Sequence, residues 1–191
     1  MKKVLLHICC GICALYCIEK LKQDGFYIEG LFFNPNIEPQ VEYSRRKQTL
    51  ENLKRIYSLN IIEGEYNPSA WHQICDSYQN EPEGGKRCFL CYQMRLVKTL
   101  EVAKNLNFNY FTTTLTVSPH KKSAVIIEIG KKLSNDKFLP RDFKKEDGFK
   151  KTTALAKKYN FYHQNYCGCV YSIRGQKTDD RGQMTEGMSG L

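Results

Sequence analysis

The sequence predicts an α/β protein, a parallel sheet with helices on both faces. Short apolar runs alternate with longer stretches of helical periodicity, in the order strand, helix, strand, helix, strand, then helix, strand, helix. Residues rich in chemistry stand directly after three of the strand-like runs, where such folds build their sites. The 191 residues are 41% hydrophobic and 26% charged, the material of one compact domain rather than of a disordered chain.

Val4 to Ile8 reads as a buried strand. A helix follows, with Leu15, Ile18 and Leu21 on one face and Gly25 as its stop. Tyr27 to Phe33 (YIEGLFF) is a second strand, broken by Asn34-Pro35-Asn36. Glu38 to Tyr57 is charged and helical in pattern, with Leu50, Leu53 and Tyr57 as its apolar stripe. Asn60 to Glu63 is a third strand, Leu96 to Leu106 a helix, Tyr110 to Thr116 a β-branched strand, and Ala124 to Leu133 a helix. The loops HICCGIC, FNPN and TVSPH end three of the strands and should meet on one edge of the sheet. No repeat or linker interrupts the chain. The expected organisation is one catalytic α/β domain over 1–173 and a polar tail over 174–191.

No apolar run approaches the roughly 20 residues of a membrane span. Lys2-Lys3 leads into an apolar stretch too short for a signal peptide, which implies the cytoplasm. Thiols stay reduced there, and the nine cysteines are odd in number and clumped, so metal or redox chemistry is expected rather than a disulfide framework. The net charge of +9 suggests a polyanionic partner, of which nucleic acid is the commonest.

Seven cysteines fall in three clusters: Cys9, Cys10 and Cys13; Cys88 and Cys91; Cys167 and Cys169. Cys17 and Cys75 stand alone, Cys75 at helical spacing from Trp71, and both read as core. A C-x-x-C pair lets two thiolates reach one metal or cluster. A four-thiolate zinc site usually pairs two such knuckles, and this chain has one. Iron–sulfur clusters take four cysteines, and ligand number and softness favour them over zinc. The surplus thiols then need a redox role or a second metal. Cys167-Gly168-Cys169 is short for a disulfide, though Gly168 eases the turn, and a strained disulfide is easily reduced. The first loop holds no phosphate-binding glycine run, and Gly84-Gly85-Lys86 lacks the rest of GxxxxGK[ST], so a Walker-type ATPase is unsupported.

These clusters carry a resemblance to a known family. HICCGIC, FNPNIEPQVEYSRR, GKRCFLCYQMRL, FTTTLTVSPHK, FLPRDFKKEDGFKK and QNYCGCVYS resemble the QueH-type epoxyqueuosine reductases, from residue 7 to 172. The first loop departs at Gly11-Ile12 from a CCAPC-like sequence and keeps its thiols. The resemblance implies a fold similar to the nucleotide-binding PP-loop and universal-stress (HUP-like) class. It implies the last step of queuosine synthesis, reduction of the epoxide of epoxyqueuosine in a tRNA anticodon to the alkene. It further implies a [4Fe-4S] cluster on Cys9, Cys10, Cys88 and Cys91, and Cys167 and Cys169 as a redox-active pair. Cys13 joins that pair among the catalytic residues, and any of the three could instead bind a second iron ion. Removing an epoxide oxygen as water takes two electrons and two protons, so an electron donor is required.

His120 and Tyr43 are the candidate proton donors. Arg45, Arg46, Lys47, Arg87, Arg95, Lys121 and Lys122 flank the motif loops and are expected to bind anticodon phosphates, with aromatic side chains to stack on splayed bases. The same cysteines and basic loops would also serve an alternative, a zinc-stabilised RNA-binding module without redox activity. A tRNA-thiolating enzyme of PP-loop type is disfavoured by the missing phosphate loop.

Overall fold

β1 (Lys3–His7) is buried along Val4, Leu5 and Leu6 without alternation. Successive side chains of a strand point to opposite faces, so this strand is covered on both. A computed structural model, describing residues 1–172, accounts for that. Four parallel strands lie in the order β3-β2-β1-β4, with β2 at Tyr27–Phe32, β3 at Ile61–Glu63 and β4 at Tyr110–Thr113. β1 pairs Leu5 with Glu29 on one side and with Phe111 on the other.

On one face α1 (Gly11–Gln23) packs against α2 (Gln40–Tyr57) and α6 (Gly148–Lys158). Across the sheet α4 (Lys86–Asn105) packs on β1, β4 and α5 (Ser123–Leu133). The chain runs outward from β1 to β3, then returns to the far side of β1 as β4. That reversal makes the carboxyl ends of β1 and β4 a switch point, where a crevice opens. α3 (Pro68–Cys75) adds a small second core of Trp71, Cys75, Cys91 and Cys169 beside the main one.

Several boundaries differ from expectation. The fourth strand stops at Thr113 instead of Thr116, because the Thr113 hydroxyl accepts the Leu115 N–H at 3.1 Å and starts a 3-10 turn over Thr114–Val117. The helix expected from Leu96 already begins at Lys86, so Cys88 and Cys91 lie in its first two turns. α3 and α6 are helices the pattern did not expose. α3 is short, started by Pro68 and capped by Asn67, whose side chain accepts the Ala70 N–H at 3.1 Å. α6 buries only Gly148, Thr152 and Ala156, which form no apolar stripe. The tail expected over 174–191 lies outside the described residues.

Candidate metal centre

Cys9 and Cys10 fill the gap between β1 and α1, and Cys13 stands in the first turn of α1. Their three sulfurs lie within 4.8 Å of one another, Cys9 and Cys10 at 3.8 Å. Hydrogen bonds from Cys10 and Cys13 pull the Cys9 thiol well below its usual range against the effect of burial, and the Lys121 charge adds to the pull. Cys10 feels a downward pull from Cys13, but Cys9 and burial outweigh it and push Cys10 up to about 12. Cys13 is raised by Cys10, Cys9 and burial. Of the three, Cys9 is the thiol whose surroundings favour the thiolate. Below it, burial and then Arg95 lower His7 to about 4, so its ring is neutral. His7 Nε2–H donates to the Phe33 carbonyl at 3.1 Å, leaving Nδ1 to accept from Thr113 at 3.0 Å.

The other four clustered thiols surround a narrow cavity of about 20 Å³. Cys88 and Cys91 reach it together because residues three apart share a helix face. Cys167 and Cys169 come from the irregular segment after α6. Burial raises Cys91 to about 11, against the pull of Arg95, and burial followed by Cys167 raises Cys169 to about 12. A second chamber of about 210 Å³ adjoins, lined by Cys9, Cys13, His120, Phe149, His163 and Gln164 among others. Arg95, Lys121, Glu83 and Cys167 line both.

The segment bearing Cys167 is fastened by Arg46. This buried guanidinium donates to the carbonyls of Tyr166 at 2.9 Å and Cys167 at 3.1 Å, and to Glu42 at 2.6 Å. The Gly168 carbonyl accepts the Glu38 N–H at 2.8 Å. Gly168 has φ +103° and lies against Ile37 and Arg46, so a side chain there would be both strained and crowded.

The residues present suit a thiolate-bound metal group. All nine cysteines are free thiols. Each of four sulfurs also accepts a hydrogen bond from a residue that is not cysteine. Thr114 donates to Cys9 at 3.3 Å, Gln164 to Cys10 at 2.9 Å, the Gly84 amide to Cys88 at 3.2 Å and Arg95 to Cys91 at 3.0 Å. Trp71 and Arg87 line the narrow cavity, and each carries a buried N–H with no partner. Unpaired buried donors beside thiols are what an additional anionic acceptor, such as a sulfide, would satisfy.

The expected site residues divide. His120 and Lys121 line the larger chamber. Cys17 and Cys75 are core, as read, and Cys17 donates to the Cys13 carbonyl at 3.1 Å. Tyr43 lines neither cavity: its ring stacks on Tyr66 with centroids 3.7 Å apart and packs on Phe32, and burial raises its phenol. His120, not Tyr43, therefore stands where a proton donor could reach the chamber. Arg87 is 2% exposed, and its Nη1 donates to the carbonyls of Tyr78, Gln79 and Glu81, so it holds the turn before α4 instead of standing at the surface. Arg95 is 3% exposed and faces sulfur, not solvent. Arg46 is the clasp described above, and Lys47 pairs with Glu63 at 2.6 Å. Arg45 is exposed and lines neither cavity. Sequence reasoning missed Thr114, Gln164, Trp71, His163 and Phe149. Thr114 and Gln164 lie inside the motif segments FTTTLTVSPHK and QNYCGCVYS, a signal that could have found them.

Comparison with known proteins bears on this arrangement. The family model described as "Epoxyqueuosine reductase QueH" matches residues 4–175. The chain is 38% identical over 185 residues to the epoxyqueuosine reductase QueH of Streptococcus pyogenes serotype M1, covering 92% of this chain and 72% of the relative. It is 34% identical over 179 residues to that of Thermotoga maritima, covering 91% of each. Among solved structures, a predicted subunit of tRNA methyltransferase from Methanocaldococcus jannaschii is similar with a TM-score of 0.54 at 14% identity, over 82% of this chain and 75% of that one. That likeness shows the fold alone and agrees with the expected α/β class.

Proposed function

The chain belongs to the QueH family of epoxyqueuosine reductases and is an oxidoreductase of that activity; we propose that it acts on a tRNA anticodon through a [4Fe-4S] cluster held by Cys9, Cys10, Cys88 and Cys91. The observation that carries the reading is the convergence of free thiols from three distant segments: six line two adjoining cavities, and the seventh, Cys10, has its sulfur 3.8 Å from that of Cys9. When bound, such a cluster supplies electrons one at a time, drawn from an external donor. The net change is epoxide plus two electrons and two protons to alkene plus water.

The chain's own residues do the rest. The larger chamber has room for a single extruded base, not a duplex, so the modified nucleotide enters flipped out of its stack. His120, exposed on the chamber wall, is the proposed proton donor to the departing oxygen. Lys121, Lys122 and Arg45 offer charge to the anticodon phosphates. Cys167 lines both cavities and, with Cys169 and Cys13, is proposed to handle the second electron, as a dithiol or through a second iron ion. A cytoplasmic setting, where thiols stay reduced, belongs to the same proposal. The zinc-stabilised RNA-binding alternative is not favoured. The relatives are named reductases, and the thiols group as three and four rather than as two C-x-x-C knuckles.

The test is anaerobic purification with iron and sulfide counted, followed by turnover on epoxyqueuosine-bearing tRNA with a chemical reductant. Iron and sulfide near four each per chain, with queuosine formed, is the expected outcome. A colourless protein that holds zinc and leaves the epoxide intact would sink the reading.

A further inference from the structure

We propose that Arg95, Gln164 and Thr114 form a shell of hydrogen-bond donors that sets the reduction potential of the group held by the thiolates. The inference rests on the ligand reading above and goes beyond it. It assigns these three side chains to tuning rather than to binding tRNA.

The geometry is direct. Arg95 Nη2 lies 3.0 Å from the Cys91 sulfur, Gln164 Nε2 2.9 Å from that of Cys10, and Thr114 Oγ1 3.3 Å from that of Cys9. Two of the three donors are held from behind. Arg95 Nε donates to the Cys91 carbonyl at 3.0 Å, and the Thr114 hydroxyl also accepts the Cys9 N–H at 3.2 Å. Gln164 Nε2 reaches towards Cys13 as well, at 3.9 Å. Arg95 is a permanent cation with 3% of its surface exposed, so water barely screens it. Burial opposes its charge most, yet Cys91, Cys9, Tyr92 and Cys167 together favour it.

Reduction adds negative charge to a group that is already anionic. Donors on its sulfurs stabilise the reduced form more than the oxidised form and so raise the potential. Cys167 meets the Ser172 hydroxyl at 2.9 Å, but that partner carries no charge. Arg95 therefore dominates, with Gln164 and Thr114 contributing less.

The experiment is a redox titration, followed by visible absorbance, of anaerobically reconstituted protein whose iron has first been counted. Thr114→Val and Gln164→Leu should keep wild-type iron and titrate at more negative potential. Arg95→Lys should shift further, and Arg95→Leu furthest, with the reduced fraction at a fixed potential falling about tenfold, equivalent to 59 mV for one electron. If Arg95→Leu fails to fold, the Thr114 and Gln164 variants decide. Full iron with unmoved midpoints in both overturns the inference. Iron lost from both overturns it too, because the residues would then hold the group rather than tune it. A wild-type protein that takes up no iron refutes the ligand reading itself, and the inference with it.

Discussion

Cys9, Cys10 and Cys13 hang from the best-buried part of the molecule, the carboxyl end of a central strand and the first turn of α1. Cys167 and Cys169 hang from irregular chain, tied down by the Arg46 guanidinium and one backbone hydrogen bond from Glu38. The first group is preformed by local geometry, since its sulfurs stay within 4.8 Å wherever β1 and α1 fold. The second exists only when α4, α3 and the segment after α6 have all docked. Metal-binding capacity and tertiary docking are thus separable in one group and the same event in the other.

The harshest way to break the contrast is to remove one thiol from each side. Cys9→Ser and Cys88→Ser should both lose most iron and all turnover, because the proposed cluster spans both groups. Full iron in Cys88→Ser would confine the metal to the trio. Next come Cys167→Ala and Cys169→Ala. Each should keep the cluster's absorbance yet stop epoxide reduction, with the double variant no worse than either single one. Normal turnover in these variants would leave both thiols without a catalytic part. Cys13→Ala then sharpens the picture: one iron fewer per chain points to a second metal, unchanged iron to a dithiol.

Arg46→Leu tests the clasp. It strands the buried Glu42 and frees the carbonyls of Tyr166 and Cys167, so unfolding in urea should show a loss of about 3–5 kcal/mol. Alkylation of Cys167 should quicken while that of Cys10 changes little. Equal quickening at both would mean that the two groups are not independently supported. A gentler probe is salt. Lys121→Ala should lower the slope of log affinity for tRNA against log salt by about 0.7–0.9, one phosphate contact. An unchanged slope removes Lys121 from the interface.

The smallest effect is expected one residue from the clasp. Lys47 and Glu63 make an ion pair of 2.6 Å, but both are well exposed, and such pairs contribute about 0–1 kcal/mol. The hydrogen bond from Lys47 holds the Glu63 carboxyl below its ordinary 4.5. The contribution is therefore present above that pH and lost as the carboxyl protonates below it. Lys47→Ala should cost a few tenths of a kcal/mol at pH 7 and progressively less as the pH falls below 4.5. A cost as large as that of Arg46→Leu would erase the distinction between buried and exposed pairs.

What could be read in the sequence follows the same division. β1, α1 and β2 are periodic or β-branched runs ended by glycine or proline, and the CC doublet sits visibly where a strand stops. The partnership of Cys88 with Cys167 has no local signature, because it depends on where α6 delivers the chain. The burial of Arg46, Arg87 and Arg95 is hidden for one reason. A guanidinium reads as surface charge until its acceptors are known, and here those are carbonyls, a carboxylate and a sulfur. The packing of Tyr43 is hidden similarly, since nothing near it in sequence announces Tyr66 beneath its ring.

The glycine that departs from the family-like first loop has its own reason. Gly11 N–H donates to Thr49 Oγ1 at 3.1 Å, and a Cβ at residue 11 would run into both Thr49 and the Phe161 ring. Positions 11, 49 and 161 therefore form one coupled unit of inheritance: an alanine at 11 requires the Thr49 and Phe161 side chains to shift or shrink with it.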